Sequence, residues 1–387
     1  MSRARFSIVI PTRQRHETLH YAIQSVLFQD FPDYELVVQD NCSGPETWDV
    51  VKQFRSPKLK YQRSPRVLPM AENFEAALPL CEGEYVYYMG DDDAIMPDGM
   101  RLADQILRRA DLEVLAWQKY TYWWDNAIEP SMRGRLFVHF GVGFRVLDSE
   151  DTLQRYYNWQ IGMGDLPSIY TGFVRRSFIN QVMERYGKYF ALVVPDTYTG
   201  ILNLALSRKA GWFERGLSLC GNSGNSTGSA WFYRSKGRHR RDAYHADEGQ
   251  SEQELMHPSL IPSVNLEVNH ADTMLRAKEL LFPKDERFQV RIPQVLNAMA
   301  ANINRDPDSY DDVLAEIRAL AEKHTIDMGS LRIPPRAQAA RPFFQGPIFG
   351  QDQRLNAFAL NCAEAGVHNV AQAARLAAAA LPVVTIQ

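Results

Sequence analysis

The stretch that decides the fold is Phe6-Ser7-Ile8-Val9-Ile10-Pro11-Thr12-Arg13, close to the start of the chain. Its first five residues are almost all apolar, and Pro11 then interrupts the run. A short apolar run of this kind is typical of a strand that is buried on both faces of a sheet. We therefore expect a strand here, followed by a polar segment at its carboxyl end.

Strands and helices alternate over the residues that follow. Apolar side chains recur at helical spacing from His16 to Phe28, and a second strand is expected from Tyr34 to Val38. Helices are expected around Glu46 to Phe54 and from Met70 to Leu80, and a further strand from Glu84 to Met89. This alternation with short connections predicts an α/β fold, in which crossover helices join the strands of a mostly parallel sheet.

Composition and charge exclude several classes of protein. The chain has 387 residues, of which 45% are apolar and 23% charged, so a mainly disordered chain is excluded. Its 43 basic and 46 acidic residues give a net charge of −3, which opposes nucleic-acid binding. The four cysteines lack metal-ligand spacing, and no signal-peptide core or membrane-spanning run is present. We therefore expect a cytoplasmic protein with free thiols.

Polar residues follow three of the expected strands. The first strand ends in Pro11-Thr12-Arg13, the second in Asp40-Asn41, and a later one in Asp91-Asp92-Asp93. Ligands of parallel sheets bind outside the carboxyl ends of the strands, so these residues are expected to converge on one site. Three adjacent carboxylates repel one another and favour a hard divalent cation such as Mg²⁺ or Mn²⁺. The structural alternatives are an acidic surface turn for the triple aspartate and an Asx turn for Asp40.

These three blocks, in this order and spacing, resemble the family 2 glycosyltransferases of the GT-A fold. The resemblance is strong over residues 6–100, weaker over 165–230, and absent beyond about residue 260. It implies a GT-A, Rossmann-like domain over residues 1–250, and we expect a mainly α-helical extension over 251–387. It further implies a nucleoside diphosphate sugar donor, UDP-type favoured, a divalent metal, and inverting transfer to a hydroxyl acceptor. The acceptor class that it implies is a glycan or a lipid-linked sugar in polysaccharide biosynthesis.

The resemblance also assigns roles to single residues. Pro11, Thr12 and Arg13 border the nucleobase, and Asp40 binds it. Inverting transfer needs a general base that deprotonates the acceptor hydroxyl. In the family this base is an acidic residue at the start of a downstream helix, which makes Asp196 the first candidate and Asp165 the reserve. A helix N-cap is the structural alternative for Asp196.

The metal assignment follows from the third block. The commonest family motif is Asp-x-Asp-Asp, and in this chain Gly90 replaces the first aspartate. The ribose contact is therefore assigned to Asp91. Asp92 is assigned to the metal, because it precedes Pro97 by five residues as in the family pattern. Asp93 is a second candidate ligand.

A segment rich in small residues, Cys220 to Ser229, precedes a basic cluster. A mobile loop with such a cluster is expected to close over a diphosphate as leaving-group charge develops. A solvated surface loop is the alternative, and the polar segment from Asp242 to Glu254 is expected to be a linker or loop. The candidate cations are Arg234, Lys236, Arg238, Arg240 and Arg241, with His239 or His245 as additional metal ligands.

Two other functions remain open from the sequence alone. A nucleotidyltransferase that makes sugar nucleotides usually carries a glycine-rich loop after its first strand, and this chain has no glycine there. A non-catalytic protein that binds a sugar nucleotide or a glycan is the second alternative. An Ala-rich helix expected at 371–380 is more typical of packing or of a homo-oligomer surface than of a membrane anchor, and peripheral membrane association is left open.

Overall fold

The computed structural model describes residues 4–249, 256–338, 346–349 and 355–384. The described strands are β1 (Phe6–Thr12), β2 (Tyr34–Asp40), β3 (Leu59–Arg63), β4 (Tyr85–Tyr88), β5 (Ala94–Ile95), β6 (Val114–Trp117), β7 (Tyr120–Trp123), β8 (Arg135–His139), β9 (Phe144–Val146), β10 (Gly172–Arg175), β11 (Ala210–Phe213), β12 (Ser218–Asn222), β13 (Gly346–Phe349) and β14 (Leu355–Asn361). These strands lie in two sheets, ordered β3-β2-β1-β4-β10-β6-β11-β9 and β13-β14-β8-β7-β12-β5.

Helices connect and cover these strands. The described α-helices are α1 (His16–Leu27), α2 (Pro45–Val51), α3 (Met70–Glu75), α4 (Gly99–Ala110), α5 (Ser149–Tyr157), α6 (Arg176–Tyr186), α7 (Pro195–Leu206), α8 (Thr227–Phe232), α9 (Arg238–Glu248), α10 (Leu266–Leu281), α11 (Ile292–Asn302), α12 (Tyr310–Lys323) and α13 (Val370–Ala380). None of the described helices is long and apolar enough to cross a bilayer.

The first strand lies inside the larger sheet, between two parallel neighbours. Every residue of β1 is buried, and the strand pairs in parallel with β2 on one side and β4 on the other. Apolar clusters occupy both faces of this sheet, which explains the almost continuous apolar run. The predicted α/β fold, a mostly parallel sheet flanked by helices with a helical C-terminal region, is confirmed.

The register of the parallel strands aligns their carboxyl ends. Thr12 is opposite Asp40 in the pairing of β1 with β2, and Val9 is opposite Tyr88 in the pairing of β1 with β4. The chain therefore leaves β4 toward the triple aspartate at the same sheet edge at which β1 ends. The sequence prediction that these strand ends share an edge is confirmed.

The C-terminal helices pack against the α/β part of the chain. Helix α10 packs on α7, and α11 and α12 form a separate apolar cluster with part of α10. Strand β14 pairs with β8 in the smaller sheet, and α13 packs against α1 and β12. The helix expected at 371–380 is confirmed, whereas oligomerisation and membrane association through these helices stay predictions.

The expected loops between residues 220 and 254 are more ordered than the sequence indicated. Residues 218–222 form β12, and α8 begins after Ser226, whose hydroxyl accepts a hydrogen bond from the backbone N–H of Ser229. The predicted linker over 242–254 is wrong for residues 242–248, which belong to α9. Residues 250–254 lie outside the described part of the chain. The polar composition suggested a loop because α9 exposes most of one face to solvent. The carboxylates of α9 nevertheless bond to the α/β part of the chain.

Candidate active site

A cavity of about 750 Å³ lies at the carboxyl ends of the parallel strands. Its walls come from the sheet edge, the start of α7, helices α8 and α9, and the start of α10. Among the predicted strand-end and general-base residues, Asp40 alone does not line it. The predicted residues that line it are Pro11, Thr12, Arg13, Asp91, Asp92, Asp93, Asp165 and Asp196.

Asp91 is fixed by two neighbours on the first strand and its following turn. Thr12 Oγ1 donates to Asp91 Oδ2 over 2.7 Å, and the Arg15 guanidinium donates to Asp91 Oδ1 over 2.9 Å. All three side chains are buried or nearly so, since Arg15 exposes 13% of its side chain and Asp91 3%. The strand register thus supplies a charge-paired carboxylate at the cavity wall.

Asp93 is also paired, on the opposite side of the cluster. Lys119 Nζ lies 2.9 Å from Asp93 Oδ2, and the backbone N–H of Gly221 donates to Asp93 Oδ1 over 2.8 Å. Burial alone would lower the pKa of Lys119, but Asp93 raises it, so the lysine stays charged. A Cβ at position 221 would lie 1.7 Å from the carbonyl oxygen of Asp92, so only glycine permits this approach of β12. Asp93 is therefore held by a structural ion pair.

Asp92 is the member of the cluster that lacks a cationic partner of its own. Its Oδ2 accepts a 2.6 Å hydrogen bond from the Ser223 hydroxyl, and no described residue donates to its Oδ1. Burial raises its pKa to about 7, with Asp91 and Asp93 adding repulsion and Arg15 opposing it. The described residues contain no group of three or more His, Cys, Asp or Glu side chains placed to hold a metal ion. A cation at Asp92 would therefore depend on oxygen ligands from a substrate.

Asp40 occupies the role of a turn residue. Its Oδ1 accepts from the backbone N–H of Ser43 over 2.9 Å, and its Oδ2 accepts from the Tyr61 hydroxyl over 2.7 Å. The side chain is fully buried. This is the geometry of the Asx-turn alternative that the sequence left open. The predicted contact between Asp40 and a nucleobase stays a prediction.

Two carboxylates are candidates for the general base. Asp196 lies in the first turn of α7, lines the cavity, and accepts a 2.8 Å hydrogen bond from the backbone N–H of Thr197. Burial raises its pKa, while Thr197 and Lys119 oppose the shift. Asp165 is exposed at the cavity rim and accepts from the backbone N–H of Gly162 over 3.0 Å. The raised pKa favours Asp196 as a proton acceptor.

Two arginines converge on one hydroxyl at the start of α8. The guanidinium groups of Arg15 and Arg240 donate to Thr227 Oγ1 over 2.9 and 3.1 Å. The Nε of Arg240 is buried without a hydrogen-bond partner. Burial lowers the pKa of Arg240 to about 10, and the charge of Arg15 adds to that effect. A buried, under-solvated pair of cations on a cavity wall is a site suited to an anion.

Other members of the predicted basic cluster do not reach the cavity. Arg234 forms a two-fold pair with Glu316, and Lys236 bonds to Glu129 over 2.5 Å. Arg238 and His239 are exposed, and Arg241 is buried against the Ala230 carbonyl. From the cluster itself only Arg240 is a lining residue, and His245 lines the cavity from further along α9.

Helix α9 is held over the end of the cavity that Arg13 lines. Arg13 forms a bidentate pair with Asp247, with N···O distances of 2.6 and 2.7 Å. Glu248 accepts from the backbone N–H of Met70 over 2.7 Å. The structure therefore brings Asp247 and Glu248, from the segment expected to be a linker or loop, onto Arg13 and the start of α3 as part of a helix.

Sequence reasoning missed three residues that shape the site. Arg15 lies just beyond the strand-end residues Pro11-Thr12-Arg13, and this closeness in sequence was the one signal available for it. Lys119 lies between β6 and β7, and Tyr170 precedes β10, where its ring stacks on Phe74 at a centroid distance of 5.5 Å. Lys119 Nζ lies 5.3 Å from the Tyr170 ring centroid. These contacts depend on strand pairings distant in sequence, which no local motif reveals.

Comparison with known proteins finds one family. Residues 7–165 match the model described as Glycosyl transferase family 2. The chain is 31% identical over 96 residues to the GalNAc(5)-diNAcBac-PP-undecaprenol beta-1,3-glucosyltransferase of Campylobacter jejuni, a match that covers 24% of this chain and 31% of that protein. It is 28% identical over 120 residues to the poly(ribitol-phosphate) beta-N-acetylglucosaminyltransferase TarS of Staphylococcus aureus, covering 29% of this chain and 20% of that protein. The chain thus spans a third or less of the length of these relatives.

Solved structures give weaker similarities. The crystal structure of S. aureus TarS 1–349 in complex with UDP-GlcNAc is 16% identical, with a TM-score of 0.47, and the match covers 88% of this chain and 99% of that one. Mannosyltransferase PcManGT from Pyrobaculum calidifontis, in complex with GDP-Man and Mn²⁺, is also 16% identical, with a TM-score of 0.45 and coverage of 83% and 76%.

Proposed function

We propose that this chain, whose residues 7–165 match glycosyl transferase family 2, is an inverting, metal-dependent glycosyltransferase. Its donor is a nucleoside diphosphate sugar, of the UDP type, and its acceptor is a hydroxyl group of a glycan or of a lipid-linked sugar. The reaction belongs to glycan or polysaccharide biosynthesis. The observation that carries the proposal is that paired cations, an unpaired carboxylate and a second carboxylate of raised pKa line one cavity.

The donor diphosphate fits the end of the cavity at which Arg15 and Arg240 meet. Both guanidinium groups already share the Thr227 hydroxyl, so a diphosphate that binds here meets two side-chain cations held in place. Asp91, held by Thr12 and Arg15, then lies where a ribose hydroxyl can donate to it. These groups bind and orient the donor before any bond is broken.

The residues present fit a divalent cation that is completed by substrate. Asp92 offers Oδ1, while Asp93 is committed to Lys119 and Asp91 to Arg15. Mg²⁺ and Mn²⁺ sites in phosphate-transferring enzymes commonly use one or two carboxylates together with phosphate oxygens. When bound, such a cation neutralises charge on the departing diphosphate. Relief of the repulsion within the aspartate cluster favours cation binding from the protein side.

Asp196 takes the proton of the acceptor hydroxyl. Its carboxylate is partly buried in the cavity wall, where burial raises its pKa toward that of an effective base. The hydroxyl oxygen forms the new bond to the anomeric carbon as the diphosphate oxygen leaves from the opposite face. One displacement of this kind inverts the anomeric configuration and needs a single base. Arg15 and Arg240 stabilise the negative charge on the leaving group.

The experiment that tests this function is a donor panel. The melting temperature of the protein is measured with UDP-, GDP-, dTDP- and CDP-sugars, with Mn²⁺ and with excess chelator, because a ligand of the folded state raises it. We expect one nucleotide class to stabilise the protein, more strongly with Mn²⁺, and to be hydrolysed slowly without acceptor. Arg240→Met should abolish the stabilisation, and Arg238→Met, two residues earlier on the exposed face of α9, should retain it.

The outcomes of this panel separate the three functions considered from the sequence. Release of pyrophosphate from a nucleoside triphosphate and a sugar phosphate would instead indicate a nucleotidyltransferase. Donor binding with neither hydrolysis nor transfer would indicate a binding protein. If no sugar nucleotide changes the melting temperature, the proposal is wrong.

A further inference from the structure

The cavity has a second wall that lies outside the segment matched by the family. Seven lining residues come from residues 256–272, which precede α10 or form its first turns, and Phe232 ends α8 beside them. The family match ends at residue 165. The part of the chain described here therefore adds its own surface to a cavity whose other wall carries the aspartate cluster.

Phe232 is an aromatic side chain that faces this cavity while remaining open to solvent. It keeps 43% of its surface exposed, although it lines the cavity. The guanidinium carbon of Arg305 lies 4.5 Å from its ring centroid, and this contact restricts the orientation of the ring. An exposed ring that is supported by a cation is a preformed platform for an apolar ligand face.

His270 offers a hydrogen-bonding group on the same wall. Its Nε2 is buried and has no hydrogen-bond partner, an arrangement that costs free energy unless a ligand supplies one. Burial lowers its pKa to about 4, with the charge of Arg305 adding to the shift, so the ring is neutral at pH 7. A neutral imidazole has one donor and one acceptor nitrogen. Asn269, one residue earlier, also lines the cavity.

The charge balance of this wall favours a neutral ligand. Arg305 is paired with the buried Glu267, with an N···O distance of 2.9 Å. The Asp272 carboxylate is likewise occupied, by the Arg276 guanidinium at 3.0 Å and the backbone N–H of His257 at 2.6 Å. The charges near Phe232 and His270 are thus already compensated, unlike that of Arg240, whose Nε is buried without a hydrogen-bond partner. The phosphate group of a phosphorylated polyol would therefore have no uncompensated cation to pair with among the described residues of this wall.

Helix α8 sets the distance between the two walls. Thr227 begins the helix at the paired arginines and Phe232 ends it. Five residues at a rise of 1.5 Å place their backbones about 7 to 8 Å apart. This separation is comparable to the length of one to two sugar rings, so a ligand on Phe232 can extend a hydroxyl toward the reacting centre.

From these contacts we infer that Phe232 and His270 form an acceptor subsite for a neutral, hydroxylated sugar ring. The apolar face of the ring stacks on Phe232, and a ring hydroxyl bonds to His270 Nε2. The inference rests on the proposed function and adds the chemical class of its acceptor. It assigns this specificity to the end of α8 and the start of α10, which lie outside the segment matched by the family.

The test measures acceptor and donor separately. The probes are 4-nitrophenyl glycosides of glucose, galactose, mannose and N-acetylglucosamine, with glycerol 3-phosphate as the anionic comparison. Binding is followed by saturation-transfer NMR in the presence of the nucleoside diphosphate, and transfer by KM and kcat. In Phe232→Ala we expect the glycoside KM to rise about tenfold or more, which corresponds to about 1.4 kcal/mol of contact free energy. The donor-induced melting shift and slow donor hydrolysis should not change.

The matched control is Phe28→Ala. Phe28 is 59% exposed, with the Arg375 guanidinium carbon 4.9 Å from its ring centroid, but it lies outside the cavity. This variant should keep the wild-type KM for the glycoside. His270→Gln should retain part of the acceptor affinity that His270→Ala loses, because glutamine can still exchange a hydrogen bond.

Three results would overturn the subsite. The wild type binds no glycoside of the panel, or it prefers glycerol 3-phosphate, or Phe232→Ala weakens donor binding as much as glycoside binding. The last result would place the Phe232 ring in the donor site. Donor binding and hydrolysis report on the proposed function by themselves, so its failure is distinguishable from failure of this inference.

Discussion

Replacing Asp196 with asparagine removes one proton acceptor from the cavity and little else. Asparagine has the same shape, and its Oδ1 can still accept the hydrogen bond that the Thr197 backbone N–H donates over 2.8 Å. The first turn of α7 should therefore be preserved. The lost property is the ability of the side chain to take a proton from an acceptor hydroxyl.

The expected loss is in turnover. A positioned general base contributes about 10² to 10⁴ in rate, which is about 3 to 5 kcal/mol of barrier. We expect kcat for transfer to fall by that factor. The groups that we propose to bind the donor, Arg15, Arg240 and Asp91, are untouched, so donor affinity should remain within about twofold of the wild type, a change of about 0.4 kcal/mol.

The pH dependence of kcat and of stability gives a second test of the Asp196 assignment. Burial raises the pKa of Asp196 above the ordinary value of about 3.9. Wild-type kcat should therefore fall as pH decreases through this raised pKa, and the residual rate of the variant should lack that acid limb. In the folded state the neutral form is favoured, so stability decreases as pH rises from the unfolded pKa to the folded one. Asp196→Asn should melt at or above the wild-type temperature at pH 7, and the difference should vanish below about pH 3.9.

The assay compares transfer rate, donor affinity by calorimetry, and melting temperature across pH. Asp312→Asn is the matched control, because Asp312 also lies in the first turn of a helix but is exposed and outside the cavity. It should leave kcat unchanged. Wild-type turnover in Asp196→Asn would refute the assignment and direct the same experiment to Asp165.

Three further changes test the surrounding contacts. Asp92→Asn should make affinity for the nucleoside diphosphate independent of Mn²⁺ in calorimetry, and a retained Mn²⁺ effect would exclude Asp92 as the metal ligand. Lys119→Met leaves the Asp93 carboxylate buried without its cation, so chemical denaturation should show a loss of about 3 to 5 kcal/mol. Asp247→Asn breaks the bidentate pair with Arg13, so amide hydrogen exchange in α9 should be about fivefold faster, for a pair of about 1 kcal/mol; unchanged exchange would show that this pair does not hold the helix.

The strand-end residues could be predicted because their signal is local. Each apolar strand ends at a polar residue, and parallel strands bring these carboxyl ends to one edge of the sheet. Thr12 and the triple aspartate are therefore fixed by the pattern of the first hundred residues. Asp40 shares that pattern but uses both oxygens internally, with Ser43 and Tyr61 as donors. Sequence could not decide between the two uses, because Tyr61 reaches Asp40 through the pairing of β2 with β3.

The charges that balance the cluster could not be predicted, since they arrive from distant elements. Lys119 precedes β7, which pairs in parallel with β12, and that pairing also brings Gly221 and Ser223 to Asp93 and Asp92. The pairing partners are about one hundred residues apart in sequence. A run of three aspartates in sequence therefore indicated a metal site with more free carboxylates than the structure provides.

The two walls of the cavity differ in how far the local sequence pattern predicts them. The wall that carries Thr12 and the aspartate cluster lies at the ends of parallel strands, so the local pattern of the first hundred residues identifies it. The wall opposite is built from the end of α8 and the start of α10. Phe232 is held by Arg305 of the Arg305–Glu267 pair, and His270 is set by the packing of α10 on α7. Residues of this second kind can change without disturbing the sheet. Under the proposed function, we therefore expect acceptor specificity to be set by the helices outside residues 7–165, the segment that matches the family.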